Sequence, residues 1–378
     1  MEIGEHLKRK RNYQTLLLKF IQSTNNSHDD YLNLVAFFQN DPNELREFCC
    51  LLSKVSYGFH YSSIFQKIEQ IILFLKNDIT TLLTNFQIYT IFRKNKNILL
   101  FLFTNKIIKI DKSVFDHLMK TSNKVSDYNL FFYPETSSFY DEFDQNMIEK
   151  ELQNFGFRNF TEFNEKRQNG QNDSVLCTLI RDDSVKEFVK YITKSDISPS
   201  SFIKHSIFET NSFLLKQKET TLIEYAAFYG SIKIFNYLKY KTNNLTPSIF
   251  LYAIHSRNEQ MIHLVEDENK NFYLKYLKES IKCHHNEIAN YIINNLINYN
   301  DDVALEKRII YSFHYYNYIF LPPCQIDKFF YYSCKFNHLE FVKILSKDSN
   351  VNINKGVIPK QKVFVYKISL FFNIIFIF

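Results

Sequence analysis

Apolar positions recur at helical spacing along most of the chain, in short runs cut by polar turns. The clearest run is Thr221–Leu238, TLIEYAAFYGSIKIFNYL. Ile223, Ala226 and Ala227 stand at i, i+3 and i+4, so they share one side of a helix. Two adjacent alanines let a neighbouring helix approach closely. Gly230 ends this helix, because glycine takes positive φ without a Cβ clash. Ile234, Phe235, Tyr237 and Leu238 then give a second short helix its apolar side. One such pair cannot bury its own apolar face and needs neighbours on both sides.

Weaker copies follow. Aligned on the turn, Gly230 corresponds to Arg257 in LYAIHSRNEQMIHLV and to His284 in ESIKCHHNEIANYII, 27 residues apart each time. Asn337, in NHLEFVKIL, lies 53 residues further on, close to two periods, which predicts another unit near Ile310–Phe320. The fold expected is all-α, an α-solenoid of short helix pairs carried by residues 171–350. Ser174–Ile192 reads as one further pair turning at Asp182–Ser184, and Ser198–Lys218 as a long connection.

Upstream, Asp41-Pro42 starts a helix cleanly, and Leu45, Phe48, Cys49 and Leu52 then face one way. Phe86–Phe103 again reads as helix, polar turn, helix, with Asn95 in the place of Gly230, five periods of 27 before it. Residues 1–120 are therefore expected as an N-terminal helical region, either decayed repeats or a separate all-α domain. Residues 121–170 read as a linker with one helix, and 351–378 as an atypical hydrophobic tail.

Thr221, Ile223, Ala226, Ala227 and Gly230 fall on matching positions of the ankyrin consensus, with Leu222 for its proline and Glu224 for its histidine. The stretch resembles a degenerate ankyrin repeat, shortened from the usual length of about 33 residues, most simply by loss of the β-hairpin finger. The chain also resembles the ankyrin proteins of trichomonad protists that carry a helical region ahead of the repeats. FFQNDPNELREFCCLLSKVS, IFQKIEQIILFLKNDI, NGQNDSVLCTLIRDDSVKEF and SIFETNSFLLK carry that likeness, over residues 30–360. It implies a protein-interaction role and no catalytic residues. On the consensus, the concave face is built from Tyr225, Phe228 and Tyr229, then Tyr252, His255 and Ser256, then Lys282, then Tyr332, Lys335 and Phe336. These are the expected partner-binding residues, exposed aromatics being suited to interface hot spots.

Composition narrows the classes. Six glycines and seven prolines in 378 residues are too few for a β-sandwich or barrel. They also leave no P-loop and no dinucleotide fingerprint, and G-x-S-x-G and H-E-x-x-H are missing too. No enzyme, cofactor or metal is expected on these grounds. Cys283-His284-His285 is the most metal-like cluster, but adjacent residues on a helix point apart. Cys334 and His338 are spaced i, i+4, with His338 where consensus repeats carry a structural turn histidine. Asp182-Asp183 and Asp301-Asp302 fall at turns or helix starts.

The net charge of +6 is modest, and no broad basic stripe points to nucleic acid. The one basic run, Lys8–Arg11, fits a nuclear import signal, a phosphate contact or a solvated helix face. Six cysteines without secretion-like spacing, behind an N-terminus with no apolar leader, point to free thiols in the cytoplasm. Val363–Phe378 holds 16 residues with Lys367 and Asn373 inside, against the roughly 18 or more of a membrane span. A non-native tail, an element packed on the last repeat and a membrane anchor all fit it. The function expected is a protein–protein interaction scaffold or adaptor. The alternatives are an adaptor tethered through the tail, and an enzyme whose site lies in the N-terminal half. A deep polar pocket with clustered titratable groups would favour the enzyme.

Overall fold

The computed structural model describes the chain except residues 1, 24, 37, 39–40, 61, 120–126, 155–159, 243–244, 267–271, 298–300, 323–325 and 348–378. The hydrophobic tail and Cys324 therefore lie outside the described residues. The described chain is all-α, without a β-strand; a single isolated bridge joins Phe202 to Thr221.

In order, the helices are α1 (Glu2–Gln22), α2 (His28–Val35), α3 (Pro42–Val55), α4 (Ser62–Phe74), α5 (Lys76–Leu82), α6 (Asn85–Phe92), α7 (Lys96–Thr104) and α8 (Lys112–Met119). Then come α9 (Asp127–Phe131), α10 (Tyr133–Thr136), α11 (Glu142–Asn154), α12 (Phe160–Asn169), α13 (Val175–Arg181) and α14 (Val185–Lys194). After the long connection follow α15 (Leu222–Tyr229), α16 (Ile232–Thr242), α17 (Ile249–Ser256), α18 (Glu259–Val265), α19 (Tyr273–Lys282) and α20 (Asn286–Tyr291). The last are α21 (Asp302–Tyr315), α22 (Ile326–Phe336) and α23 (Leu339–Lys347). The chain divides into two compact units, one of Leu52–Leu296 and one of Met1–Leu51 with the chain from Ile297 onward.

In the Leu52–Leu296 unit, α13, α15, α17 and α19 pack in succession, each paired with the helix that follows it. The turns between partners repeat one geometry. Asp183, Gly230, Arg257 and His284 are all left-handed, with φ of 50°, 72°, 52° and 52°. Ser184, Ser231 and His285 then donate their backbone N–H to Leu179, Ala226 and Ser280 carbonyls at 3.1, 2.9 and 3.0 Å, the bond that closes a Schellman cap. The residue four places before each of the last three turns is small: Ala226, Ala253 and Ser280, all without exposed surface. A larger side chain there would hold successive helices apart.

Side chains tie one pair to the next. Ser231 Oγ donates to the Ile180 carbonyl at 2.6 Å, and the Asp183 carboxylate accepts the Ile234 N–H at 2.9 Å. Glu224, in the place of the consensus histidine, closes a capping box with Thr221 and accepts from Thr246 and Ser248 of the next connection at 2.9 and 2.8 Å. Gly230→Ala is expected to cost about 1–2 kcal/mol, the usual cost of a left-handed L-residue. Its Cβ would also sit 3.3 Å from the Cβ atoms of Ser256 and Asn258. Urea denaturation of the variant beside the parent measures the difference.

Two expectations change. Asn95 does not take the turn conformation of Gly230: at φ −114° it is the N-cap of α7, its Oδ1 accepting the Ile98 N–H at 3.1 Å. It corresponds in role to Asn258, which caps α18 in the same way. Residues 121–170, expected as a linker with one helix, contain α9 to α12 and a core. Leu130, Tyr133, Ile148, Leu152 and Phe163 pack there with Ile207 and Phe208, because the run Phe131–Phe132–Tyr133 is too apolar to stay in water.

In the other unit the left-handed turns are Tyr316 and Asn337, with Ser312 and Ser333 as the fully buried small residues four places earlier. The unit expected near Ile310–Phe320 is there, as α21 followed by a single 3-10 turn, Tyr318–Phe320, instead of a second helix. Helix α1 packs on that turn and on α23. Gln14 donates to Asn317 Oδ1 at 2.7 Å and accepts the Tyr318 N–H at 2.9 Å. Part of the basic run takes part in this packing. Lys10 is buried between Glu44 and Glu47 at 2.6 and 2.8 Å, Arg9 reaches Glu44 at 3.5 Å, and Arg11 donates to the Tyr318 and Leu321 carbonyls. Lys8 and Arg9 stay exposed, Arg11 is half-buried and Lys10 is buried.

Candidate functional site

Most residues expected on an open concave face are not open. Tyr225, Phe228, Tyr252, His255, Ser256, Lys282 and Tyr332 are buried, Tyr229 and Phe336 are half-buried, and Lys335 is exposed. For Phe228, Tyr252, His255 and Lys282 the cause is the long connection before α15, whose Phe213 lies over them. Its ring centroid is 5.9 Å from that of Phe228, 4.9 Å from Tyr252 and 4.2 Å from His255, and the Lys282 ammonium stands 5.7 Å from it. The chain covers with its own segment the surface expected to receive a partner. Tyr332 is held instead by Glu306, at 2.7 Å from its hydroxyl.

The same connection builds one wall of a cavity of about 740 Å³ within the Leu52–Leu296 unit. Helices α4, α7 and α13, the loop after α12 and the end of α15 supply the rest. Gly170 pins the loop to the connection. At φ 64°, it offers its carbonyl to the Thr210 N–H at 3.2 Å and the Thr210 hydroxyl at 2.6 Å. Asn172 Nδ2 donates to the Lys204 carbonyl at 2.8 Å, and Ser206 Oγ to Asp173 at 2.9 Å. Beneath, the buried Lys96 ammonium donates to the Ile207 and Glu209 carbonyls at 3.1 and 3.3 Å, with the Phe131 ring 4.7 Å away.

Side-chain amides dominate the lining: Gln66, Asn97, Asn105, Gln168, Asn169, Gln171, Asn172 and Asn211. Five formal charges join them, the cations Lys166 and Arg181 and the carboxylates Glu69, Asp173 and Glu209. Both cations are engaged. Lys166 pairs with Glu162 and Asp173, each at 3.1 Å. Arg181 donates to the Asn172 carbonyl at 2.8 Å, the Tyr225 hydroxyl at 2.9 Å and Thr178 Oγ1 at 3.0 Å, with its guanidinium 5.9 Å from the Tyr229 ring centroid. The carboxylates are less well supplied. Glu209 is 7 % exposed; its Oε1 accepts the Asn211 N–H at 2.8 Å, while Oε2 has no hydrogen-bond partner. Burial raises its pKa, against the opposing pull of the Asn211 and Asn172 amides and of the Arg181 and Lys96 charges. Burial raises the Glu69 carboxyl as well. The buried Tyr229 hydroxyl is also without a partner.

A second cluster lies in the same unit. His255 Nε2 is 3.0 Å from Glu279 Oε1, and Cys283 Sγ is 3.6 Å from His255 Nε2 and 3.8 Å from Glu279. Three ligand types thus meet within 4.8 Å of one another, in a thiol–imidazole–carboxylate order. Sequence pointed to Cys283 with His284 and His285; the structure brings Cys283 to His255 and Glu279 instead. Cys283 and His255 are buried, and burial pushes the thiol far above its ordinary pKa, which makes it inert. Lys282 is ion-paired with Glu279, which is held down to about 2. His338, as expected, serves its turn, with Nε2 2.8 Å from the Phe313 carbonyl oxygen.

Comparison with protein-family models, curated proteins and solved structures found no match for this chain. No helix among the described residues is long and apolar enough to cross a membrane.

Proposed function

We propose that the protein is a cytoplasmic interaction scaffold, an α-solenoid of degenerate ankyrin-type repeats, that holds a peptide segment of a partner protein in the amide-walled cavity. The observation that carries this reading is the lining. A carboxamide both donates and accepts, as a peptide bond does, so eight of them around one cavity match an extended backbone better than they match an apolar ligand. The recurring left-handed turns and the small residue four places before them support the repeat reading. The resemblance to ankyrin proteins of trichomonad protists adds the interaction role. The binding surface proposed now is the cavity, since Phe213 covers Phe228, Tyr252, His255 and Lys282 of the expected concave face.

A displayed library of random peptides, selected on the full chain, tests this. Selected peptides are expected to slow hydrogen exchange at residues 168–173 and 206–211. An unselective library, or protection elsewhere, sinks the reading.

The cavity also favours a second reading, since it is polar and holds clustered titratable groups. Glu69 and Glu209, both raised by burial, are the acid–base candidates. Binding is preferred because, among the described residues lining the cavity, no hydroxyl is hydrogen-bonded to an imidazole or a carboxylate.

A further inference from the structure

We infer that the cavity selects a cationic side chain, and specifically an arginine of the bound peptide, through Glu69 and Glu209. The inference rests on the reading of the cavity as a peptide site and names what that site prefers. Its basis is an imbalance of partners. Two cations and three carboxylates line the space, and both cations are already committed. Asp173 is committed to Lys166 and Ser206. Among the described residues neither Glu69 nor Glu209 forms a salt bridge, although the Arg181 and Lys96 charges act on Glu209. Glu209 keeps one carboxylate oxygen without a donor, at 7 % exposure, and Glu69 is half-buried. Burying a carboxylate oxygen without a donor is costly, and the cost is recovered when a ligand brings one.

The ligand that answers this need carries positive charge and several N–H groups. A guanidinium has five donors in a planar fork that fits carboxylates, and its flat face suits aromatic walls such as Phe65, Phe101 and the Tyr229 ring. Carboxylates outnumber cations in the lining by three to two, which favours a cation over an anion. The amides hold the backbone on either side of the arginine.

The test uses the full chain, titrated calorimetrically with a capped glycyl-arginyl-glycine peptide and with its citrulline counterpart. Citrulline keeps the shape and removes the charge. The arginine peptide is expected to bind at least about tenfold more tightly, the effect of a charged hydrogen bond. Glu209→Gln and Glu69→Gln are each expected to narrow that ratio, with helicity by circular dichroism as the folding check. Equal affinity for the two peptides overturns the inference and leaves the peptide site standing. No binding of either overturns both. Because the arginine–citrulline comparison is made on the unaltered chain, a variant that fails to fold does not blunt it.

Discussion

Alanine at position 58 is expected to destabilise the Leu52–Leu296 unit by about 3 kcal/mol or more, the upper end of overpacking in a close-packed interior. Gly58 closes the 3-10 turn after α3 and lies against the end of α19. A Cβ there would stand 2.0 Å from the Cys283 carbonyl oxygen and 2.7 Å from its carbon. Both are backbone atoms, so no rotamer change relieves the clash. Arg257 fixes the approach from both sides: its Nε donates to the Gly58 carbonyl at 3.2 Å and its Nη2 to the Cys283 carbonyl at 2.6 Å. Its guanidinium also lies 4.1 Å from the Phe59 ring centroid. Glycine is required here for space, whereas Gly230 is required for its dihedral angle. Denaturant midpoints of Gly58→Ala and Gly230→Ala against the parent separate the two, with the larger loss at position 58. A Gly58→Ala protein as stable as its parent would refute the close approach.

The second large effect is loss of stability in mild acid. Burial holds His60 and His285 down to about 3 in one unit, with Arg257 beside both, and His6 down to about 3 in the other, near Lys10 and Arg9. In the unfolded chain each titrates near 6.5. The folded pKa is the lower one, so the unfolded state binds more protons between the two values. The stabilisation is therefore complete above pH 6.5 and is lost as pH falls toward 3. Each histidine contributes a slope of up to about 1.4 kcal/mol per pH unit in that window. Glu279, held down to about 2, acts in the same direction below its ordinary value of 4.5. Glu69 and Glu209 act in the opposite direction, since a raised carboxyl is more stable protonated, and they offset part of the loss. Thermal midpoints are expected to be flat from pH 8 to 7 and to fall steeply between pH 6 and 4.5. His60→Phe, placed against the Phe228 and Tyr229 rings at 4.9 Å, is expected to make that fall shallower. A midpoint unchanged down to pH 5 would show that these rings are hydrated.

The turns at 230, 257, 284 and 337 were legible because a left-handed residue is a local requirement, met within one helix end. Three of them are not glycine. Arg257 compensates through its two carbonyl contacts, and the spacing rather than the residue type marks the place. The small residue four places before each turn was equally available in the chain. Along the chain it stands out at Ala226, whereas Ser280, Ser312 and Ser333 read as polar until their burial is known.

The site was not legible. Exposure on a consensus face is a property of what else lies there, and the segment bearing Phe213 was taken for a connection. The cavity joins residues from 60 to 229, and no pair of them forms a motif. Glu69 and Glu209 are ordinary carboxylates along the chain and become unusual only where burial takes their water away. Sequence by itself determined the all-α class, the helix pairs and the left-handed turn positions, because periodicity and capping act over a few residues. Tertiary structure alone decided that residues 1–51 group with those from 297 on, that Gly58 must admit a carbonyl, and which carboxylates face a cavity. Those outcomes depend on contacts between residues hundreds of positions apart, which local spacing does not encode.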